Sequence, residues 1–267
     1  MRRISKSFPG VVANDCIDLK LHKGEVLALL GENGAGKSTL MNILCGLYRQ
    51  DQGEIYIDGQ KVEIHSPRDA QKYGIGMVHQ SFKLVNSMNV LENIILGLRD
   101  EPFIPDMKRV RKQLMELASQ YHLNIDPDAY IWQLSVGEQQ RVEILKLLYR
   151  NAEVLILDEP TAVLTPQESA ALFETLKRFV AKGLSIIFIS HKLGEILAAC
   201  SRVSVLRGGR LVAERGVAGV TRSELAELML GRSIPQAKAE IQKSGEVVLG
   251  LHGIHARHSS QVLAGIT

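Results

Sequence analysis

The chain has 267 residues, 45% of them apolar and 23% charged, with a net charge of +3 at neutral pH. That length buries a full core in one large domain or two smaller ones, and so mild a charge makes no electrostatic case for a nucleic-acid partner. Three scattered cysteines exclude a disulfide framework and fit reduced thiols in a cytosolic protein. No apolar run reaches the roughly 20 residues of a membrane span, so any membrane role must come through a partner.

Ile4 and Phe8 mark the end of a strand that the chain enters partway, Pro9-Gly10 a turn, and Ile17, Leu19 and Leu21 the apolar positions of a half-buried strand. The apolar run Val26–Leu30 leads into Gly31, Glu32, Asn33, Gly34, Ala35, Gly36, Lys37, Ser38 and Thr39. Leu40, Ile43, Leu44 and Leu47 then recur at helical spacing. A buried strand, a glycine-rich turn and a helix, in that order, form the context in which G-x-x-x-x-G-K-[ST] cradles phosphate. Glycines let backbone N–H groups close around an anion, and the helix start adds unpaired N–H groups and the positive end of its dipole. Lys37 is placed to reach terminal phosphates and the Ser38 hydroxyl to ligate Mg²⁺, so the turn is read as binding a nucleoside triphosphate.

Gly46 is a candidate helix cap, and Glu54–Ile57, the Asp58-Gly59 turn and Lys61–Ile64 read as a hairpin in an antiparallel layer. Ile75–Val78 is a short buried strand ending at His79-Gln80. From Ser81 to about Arg150 helical stretches replace strands, with Pro102 and Pro105 in a linker and Asp126-Pro127-Asp128 in a turn, which predicts a helical insertion. Lys108, Arg109, Arg111 and Lys112 within it read first as a solvated helix face, with an acidic lipid or partner as the alternative.

Three apolar runs then resume the core, Val154–Leu157, Ser185–Ile189 and Val203–Leu206. A helix between the first two has Thr165 as N-cap, Pro166 as first residue, Glu168 completing a capping box and Gly183 after its end. Its core-facing stripe is Leu172, Phe173, Leu176, Phe179 and Val180. Gly208-Gly209 turns a hairpin, and a helix from about Arg222 to Leu230 closes the domain. The first run ends in two carboxylates: Asp158 suits the coordination sphere of Mg²⁺, and Glu159 suits orienting or deprotonating an attacking water.

The phosphate loop, Val78-His79-Gln80, the run Leu134-Ser135-Val136-Gly137-Glu138-Gln139-Gln140-Arg141, Leu157-Asp158-Glu159-Pro160-Thr161 and Ile189-Ser190-His191 follow one another as in ABC-transporter ATPase subunits. Over residues 4 to 231 the chain resembles that family, within it most closely the bacterial importers of simple sugars and nucleosides, which carry two fused ATPase domains. The resemblance implies an α/β P-loop NTPase core with a mostly parallel sheet, an antiparallel β layer and a helical insertion over about 81–150. It implies ATP with Mg²⁺ held by Ser38, Asp158 and Gln80, Glu159 as base, His191 on the γ-phosphate and Phe8 stacked on adenine. Ser135 and Gly137 would complete the site of a second ATPase domain, fused or self-paired head to tail. The further partners implied are transmembrane permease subunits and, indirectly, an extracytoplasmic solute-binding protein, with the chain peripheral on the cytoplasmic face of the membrane.

Two departures stand against the pattern. Val136 and Glu138 replace the usual Gly and Gln, Glu138 serving instead as a capping-box residue with Ser135. Thr165 stands where the family usually has Asp. These departures motivate an alternative reading as a nucleotide-gated module with little turnover; a soluble ABC ATPase acting on ribosomes or DNA is a third. The spacing of His252, His255 and His258 fits no zinc pattern. The expected organisation is an ATPase domain over 1–235, a linker over 236–245 and, over 246–267, the opening of a second such unit, since Val262–Thr267 resembles the pattern of Val12–Leu19.

Overall fold

Alternating and continuous apolar patterns in this chain build two different sheets, seen in a computed structural model that describes residues 1–98 and 106–232 and the backbone of strands at 254–258 and 261–266. The alternating segments β1 (Arg2–Phe8), β2 (Val11–Ile17), β4 (Gln52–Ile57) and β5 (Gln60–Val62) pair antiparallel in the order β2-β1-β4-β5. The turn from β4 to β5 has Asp58 and Gly59 both at positive φ, +49° and +80°, the conformation that suits a two-residue hairpin. Strand β2 ends earlier than the apolar alternation predicts. Leu19 and Leu21 lie beyond it: the Asp18 side chain accepts the Arg3 N–H at 2.9 Å, while buried Leu19 exchanges hydrogen bonds with Met1, its N–H donating at 3.1 Å and its carbonyl accepting from the Met1 amino group at 2.9 Å.

The continuous apolar runs become β3 (Val26–Leu30), β6 (Ile75–Val78), β7 (Val154–Asp158), β8 (Ser185–Ile189) and β9 (Arg202–Arg207), all parallel, with β10 (Arg210–Gly216) antiparallel at one edge. The order is β10-β9-β3-β8-β7-β6. Burial on both faces explains why these strands do not alternate: β3 and β8 are buried at every residue. The carboxyl ends of β3, β6, β7 and β8 share one edge, which is where ligands bind in sheets of this kind.

Helix α1 (Lys37–Leu44) follows β3, and Gly46, at φ +72°, stands just past its end. Helix α2 (Pro67–Lys72) has Ser66 as N-cap, Pro67 first and Asp69 in the first turn. Between β6 and β7 come α3 (Val90–Ile95), α4 (Met107–Tyr121), a short 3₁₀ turn (Ile131–Gln133) and α5 (Val136–Tyr149). Their apolar faces share one core cluster with β7 and β8: Leu114, Ile131 and Leu145 pack with Leu155 and Phe188. The remaining helices are α6 (Pro166–Ala181), α7 (Leu193–Ala199) and α8 (Arg222–Leu230). The capping box of α6 is closed by Glu168 N–H to Thr165 Oγ1 at 3.3 Å and Thr165 N–H to Glu168 Oε2 at 2.9 Å.

Phe179 of α6 is fully buried, with Tyr121 of α4 edge-on at 5.3 Å between ring centroids. Phe179→Ala should therefore cost about 3–5 kcal/mol of stability, read from urea denaturation, through lost burial and an unfilled cavity.

Residues 1–234 form one compact unit and 235–267 another. In the second, β11 (Ile254–His258) and β12 (Gln261–Ile266) pair antiparallel, Ile254 opposite Ile266, with a register shift before Ala256. The β1–β2 hairpin likewise pairs Ile4 with Ile17 and shifts register before Lys6. The expected linker at 236–245, the apolar run from Glu246, the Pro102 and Pro105 segment and His252 lie outside the described residues.

Candidate active site

The phosphate loop is braced from two sides. Gly36 has φ +100°, and a Cβ there would stand 2.3 Å from the Ala13 carbonyl oxygen and 2.6 Å from Asn14 Nδ2, so only glycine fits. Asn14, fully buried on β2, donates from Nδ2 to the Gly36 carbonyl at 3.1 Å. From the β9–β10 turn the Gly209 N–H donates to the Ala35 carbonyl at 3.2 Å. As the N-cap of α1, Gly36 offers no side-chain cap, so the first-turn N–H groups of α1 keep no acceptor within their own helix. That is an anion cradle.

Lys37 is buried, and its ammonium donates to the carbonyls of Gly31 at 2.8 Å and Glu32 at 3.0 Å. Burial holds its pKa below the usual lysine value, while the carboxylates of Glu159 and Asp158 pull it back up. Burial, followed by the neighbouring Glu159 charge, raises Asp158 above the ordinary carboxylate range, and Lys37 opposes the rise. A cation placed beside Asp158 would relieve that penalty. Ser38 is exposed on the first turn of α1, and the Ser38 hydroxyl, Asp158 carboxylate and Gln80 amide oxygen are all hard oxygen donors of the kind Mg²⁺ prefers. The donor chemistry fits that ion.

Three strand ends converge on Glu159. Its Oε1 lies 2.8 Å from His191 Nδ1, beyond β8, and its Oε2 accepts from Gln80 Nε2, beyond β6, at 3.4 Å. Glu159 has φ +46°, a left-handed conformation uncommon for a residue with a side chain, and its N–H is held by the Ile189 carbonyl at 3.0 Å. Glu195, on α7, fixes the same edge from behind, accepting from Thr161 Oγ1 at 2.6 Å and Ser190 Oγ at 3.0 Å.

Phe8 ends β1 as an exposed ring set edge-on to Tyr48 at 5.4 Å. Ser135 and Gly137 stand at the start of α5 instead, and among the described residues neither hydrogen-bonds to the phosphate loop. Ser135 is the N-cap, in a box closed by Ser135 N–H to Glu138 Oε2 at 2.9 Å. Gly137 lies against the Glu168 carboxylate of α6, close enough that a Cβ would meet it at 2.8 Å. Sequence reading missed Glu195, Gln140 and Glu143. The last two had a visible signal, polar side chains at core-facing positions of a helix; Glu143 interrupts the apolar run Val142, Ile144, Leu145.

Comparison with known proteins adds three findings. The family model described as ABC transporter matches residues 15–162. The guanosine import ATP-binding protein NupO of Bacillus subtilis is 50% identical over 95% of this chain and 50% of its own length. The glucose import ATP-binding protein TsgD13 of Haloferax volcanii is 49% identical over 88% of this chain and 48% of its own. The chain thus spans about half the length of the curated relatives it matches. Among solved structures, the ADP conformation of MJ1267, an ATP-binding cassette of an ABC transporter, superposes with a TM-score of 0.76 at 26% identity, covering 86% of this chain and 97% of that one.

Proposed function

This chain belongs to the ABC transporter family, and from that premise we propose that it is an ATP-binding and ATP-hydrolysing motor unit that drives solute import through a membrane permease, the solute being of the sugar or nucleoside class. The observation that carries this reading is the meeting of Gln80, Glu159 and His191 beside the Lys37 cradle. In it, the first-turn N–H groups of α1 and Lys37 bind the β- and γ-phosphates, and Phe8 offers its exposed ring to the base. Glu159 accepts a proton from water as the water oxygen attacks the γ-phosphorus and the β-phosphate oxygen leaves. His191 and Gln80 hold the Glu159 carboxylate in place, and His191 faces the transferred phosphoryl group. Ser38, Asp158 and Gln80 would hold Mg²⁺, which neutralises phosphate charge when bound.

The head-to-tail partner supplies Ser135 and Gly137 to the opposite site in this reading. The similar register of the β1–β2 and β11–β12 hairpins supports a second unit of the same kind after residue 245. Glu138 and Thr165 each belong to a capping box, which gives both residues a local structural role; Val136, exposed on the first turn of α5, has no such role. Among the described residues no helix is long and apolar enough to cross a membrane, in keeping with a peripheral subunit. The test is phosphate release by the whole protein in membranes holding its permease and solute-binding protein. We expect the loaded binding protein to stimulate release; stimulation by nucleic acid instead, or none, overturns import.

A further inference from the structure

Helix α5 carries two buried polar side chains one turn apart, and each grips the chain just beyond a member of the cluster around Glu159. Gln140 Nε2 donates to the Pro160 carbonyl at 2.8 Å, one residue past Glu159. Glu143 Oε1 accepts the Lys83 N–H at 2.6 Å, three residues past Gln80. On the next turn Lys146 Nζ donates to the Lys83 carbonyl at 3.3 Å, so one helix face holds both polar backbone groups of a single loop residue. Farther along, Arg150 Nη2 donates to the Leu96 carbonyl at 2.7 Å, securing the far end of the same segment.

Glu143 is only 5% exposed, flanked by the buried Val142, Ile144 and Leu145. An apolar residue would pack there without desolvating a charge, so the carboxylate is a poor choice for stability alone. What it adds is a directed hydrogen bond to one N–H. The same helix begins at Ser135 and Gly137.

Resting on the nucleotide reading above, we infer that Glu143 is a positioning residue that ties the Gln80 loop to α5, so that ATP engagement at Gln80 and Glu159 moves the Ser135–Gly137 edge. A loop gripped at both N–H and C=O cannot shift without α5, whereas a loop held only by apolar contact could slide. The coupling runs along the chain from Gln80 to Lys83, across the Lys83–Glu143 hydrogen bond and back along α5 to its N-cap Ser135.

Trp132, the one tryptophan among these 267 residues, reports on it once any tryptophan elsewhere in the whole protein is replaced by phenylalanine. It is 66% exposed, three residues before Ser135, and its turn is bound to α5 by Gln139 Nε2 donating to the carbonyls of Ile131 at 3.3 Å and Leu134 at 3.1 Å. The experiment compares the whole wild-type protein with Glu143→Met, which keeps length and helix propensity but offers no oxygen acceptor, and Glu143→Gln, whose amide oxygen still accepts. Lys83→Pro, which deletes the N–H without touching the helix, is the fourth protein. MgATP affinity by calorimetry should stay within about threefold throughout, while the ATP-induced change in Trp132 emission and kcat fall about tenfold in Glu143→Met and Lys83→Pro, with KM unchanged. Glu143→Gln should restore both. Wild-type protein that binds ATP without moving Trp132, a full response in Glu143→Met or Lys83→Pro, or a Gln variant as impaired as Met overturns the coupling and leaves the ATP reading standing. Wild-type protein that binds no ATP overturns the reading and the coupling with it.

Discussion

Glu159→Gln should hold ATP and barely hydrolyse it. The substitution keeps the shape of a side chain that His191 and Gln80 grip at 2.8 and 3.4 Å, but an amide cannot take a proton from water. General-base catalysis contributes about 10²–10⁴-fold, so single-turnover phosphate release should fall by about that factor. Binding should not weaken, because the cradle around Lys37 is untouched and a negative charge near the triphosphate is gone. With the partner domain present, the closed ATP-bound pair should then accumulate, measurable by size-exclusion chromatography. Normal turnover would remove Glu159 from the base role. The backbone supplies a second, independent reading. At φ +46° a residue with a Cβ is strained, and Glu159→Gly should raise thermal stability by about 1 kcal/mol while also abolishing turnover. A carboxylate kept in a conformation that glycine would adopt more comfortably fits the base role proposed for Glu159.

Local signals were legible where one residue type has one job. Thr165, Pro166 and Glu168 name a helix start outright, and α6 begins there. The identical signal in Ser66, Pro67 and Asp69 passed unread at α2, whose six residues leave too short a stripe for periodicity to support it. The strand, glycine turn and helix around Lys37 were legible because apolar run, glycines and helical spacing all agree. By contrast, Leu19 and Leu21 continue an alternating pattern past the end of β2: Leu19 still exchanges backbone hydrogen bonds with Met1, but at Asp18 a side chain rather than the backbone takes the Arg3 N–H. The convergence of Gln80, Glu159 and His191 spans residues 79 and 32 apart in sequence. No local pattern encodes such a meeting; it follows from strand order, with β6, β7 and β8 adjacent in the sheet. Family resemblance grouped those three residues, and parallel pairing is the physical reason that grouping holds. Gln140 and Glu143 stand out as polar side chains on a core-facing helix face, but what each one grips shows only once the loops it bonds are in place.

Lys37→Ala should weaken nucleotide binding about 100-fold or more. The ammonium ties the two ends of the cradle by donating to Gly31 and Glu32, and it is the one buried cation of the loop. A hydrogen bond to a charged group contributes about 1.5–3 kcal/mol, so losing the contacts to phosphate should raise Kd for MgATP about 100-fold or more. Linkage makes the same loss visible in melting. At an ATP concentration of about 100 times the wild-type Kd the folded state gains about 2.7 kcal/mol. With Kd raised 100-fold, that concentration only half-saturates the variant and the gain shrinks to about 0.4 kcal/mol. The ligand-induced rise in Tm should therefore nearly vanish. Arginine should not rescue it: a planar guanidinium cannot replace a compact ammonium seated between two carbonyls. Unchanged ATP affinity in Lys37→Ala would mean that the cradle is not where the phosphates bind.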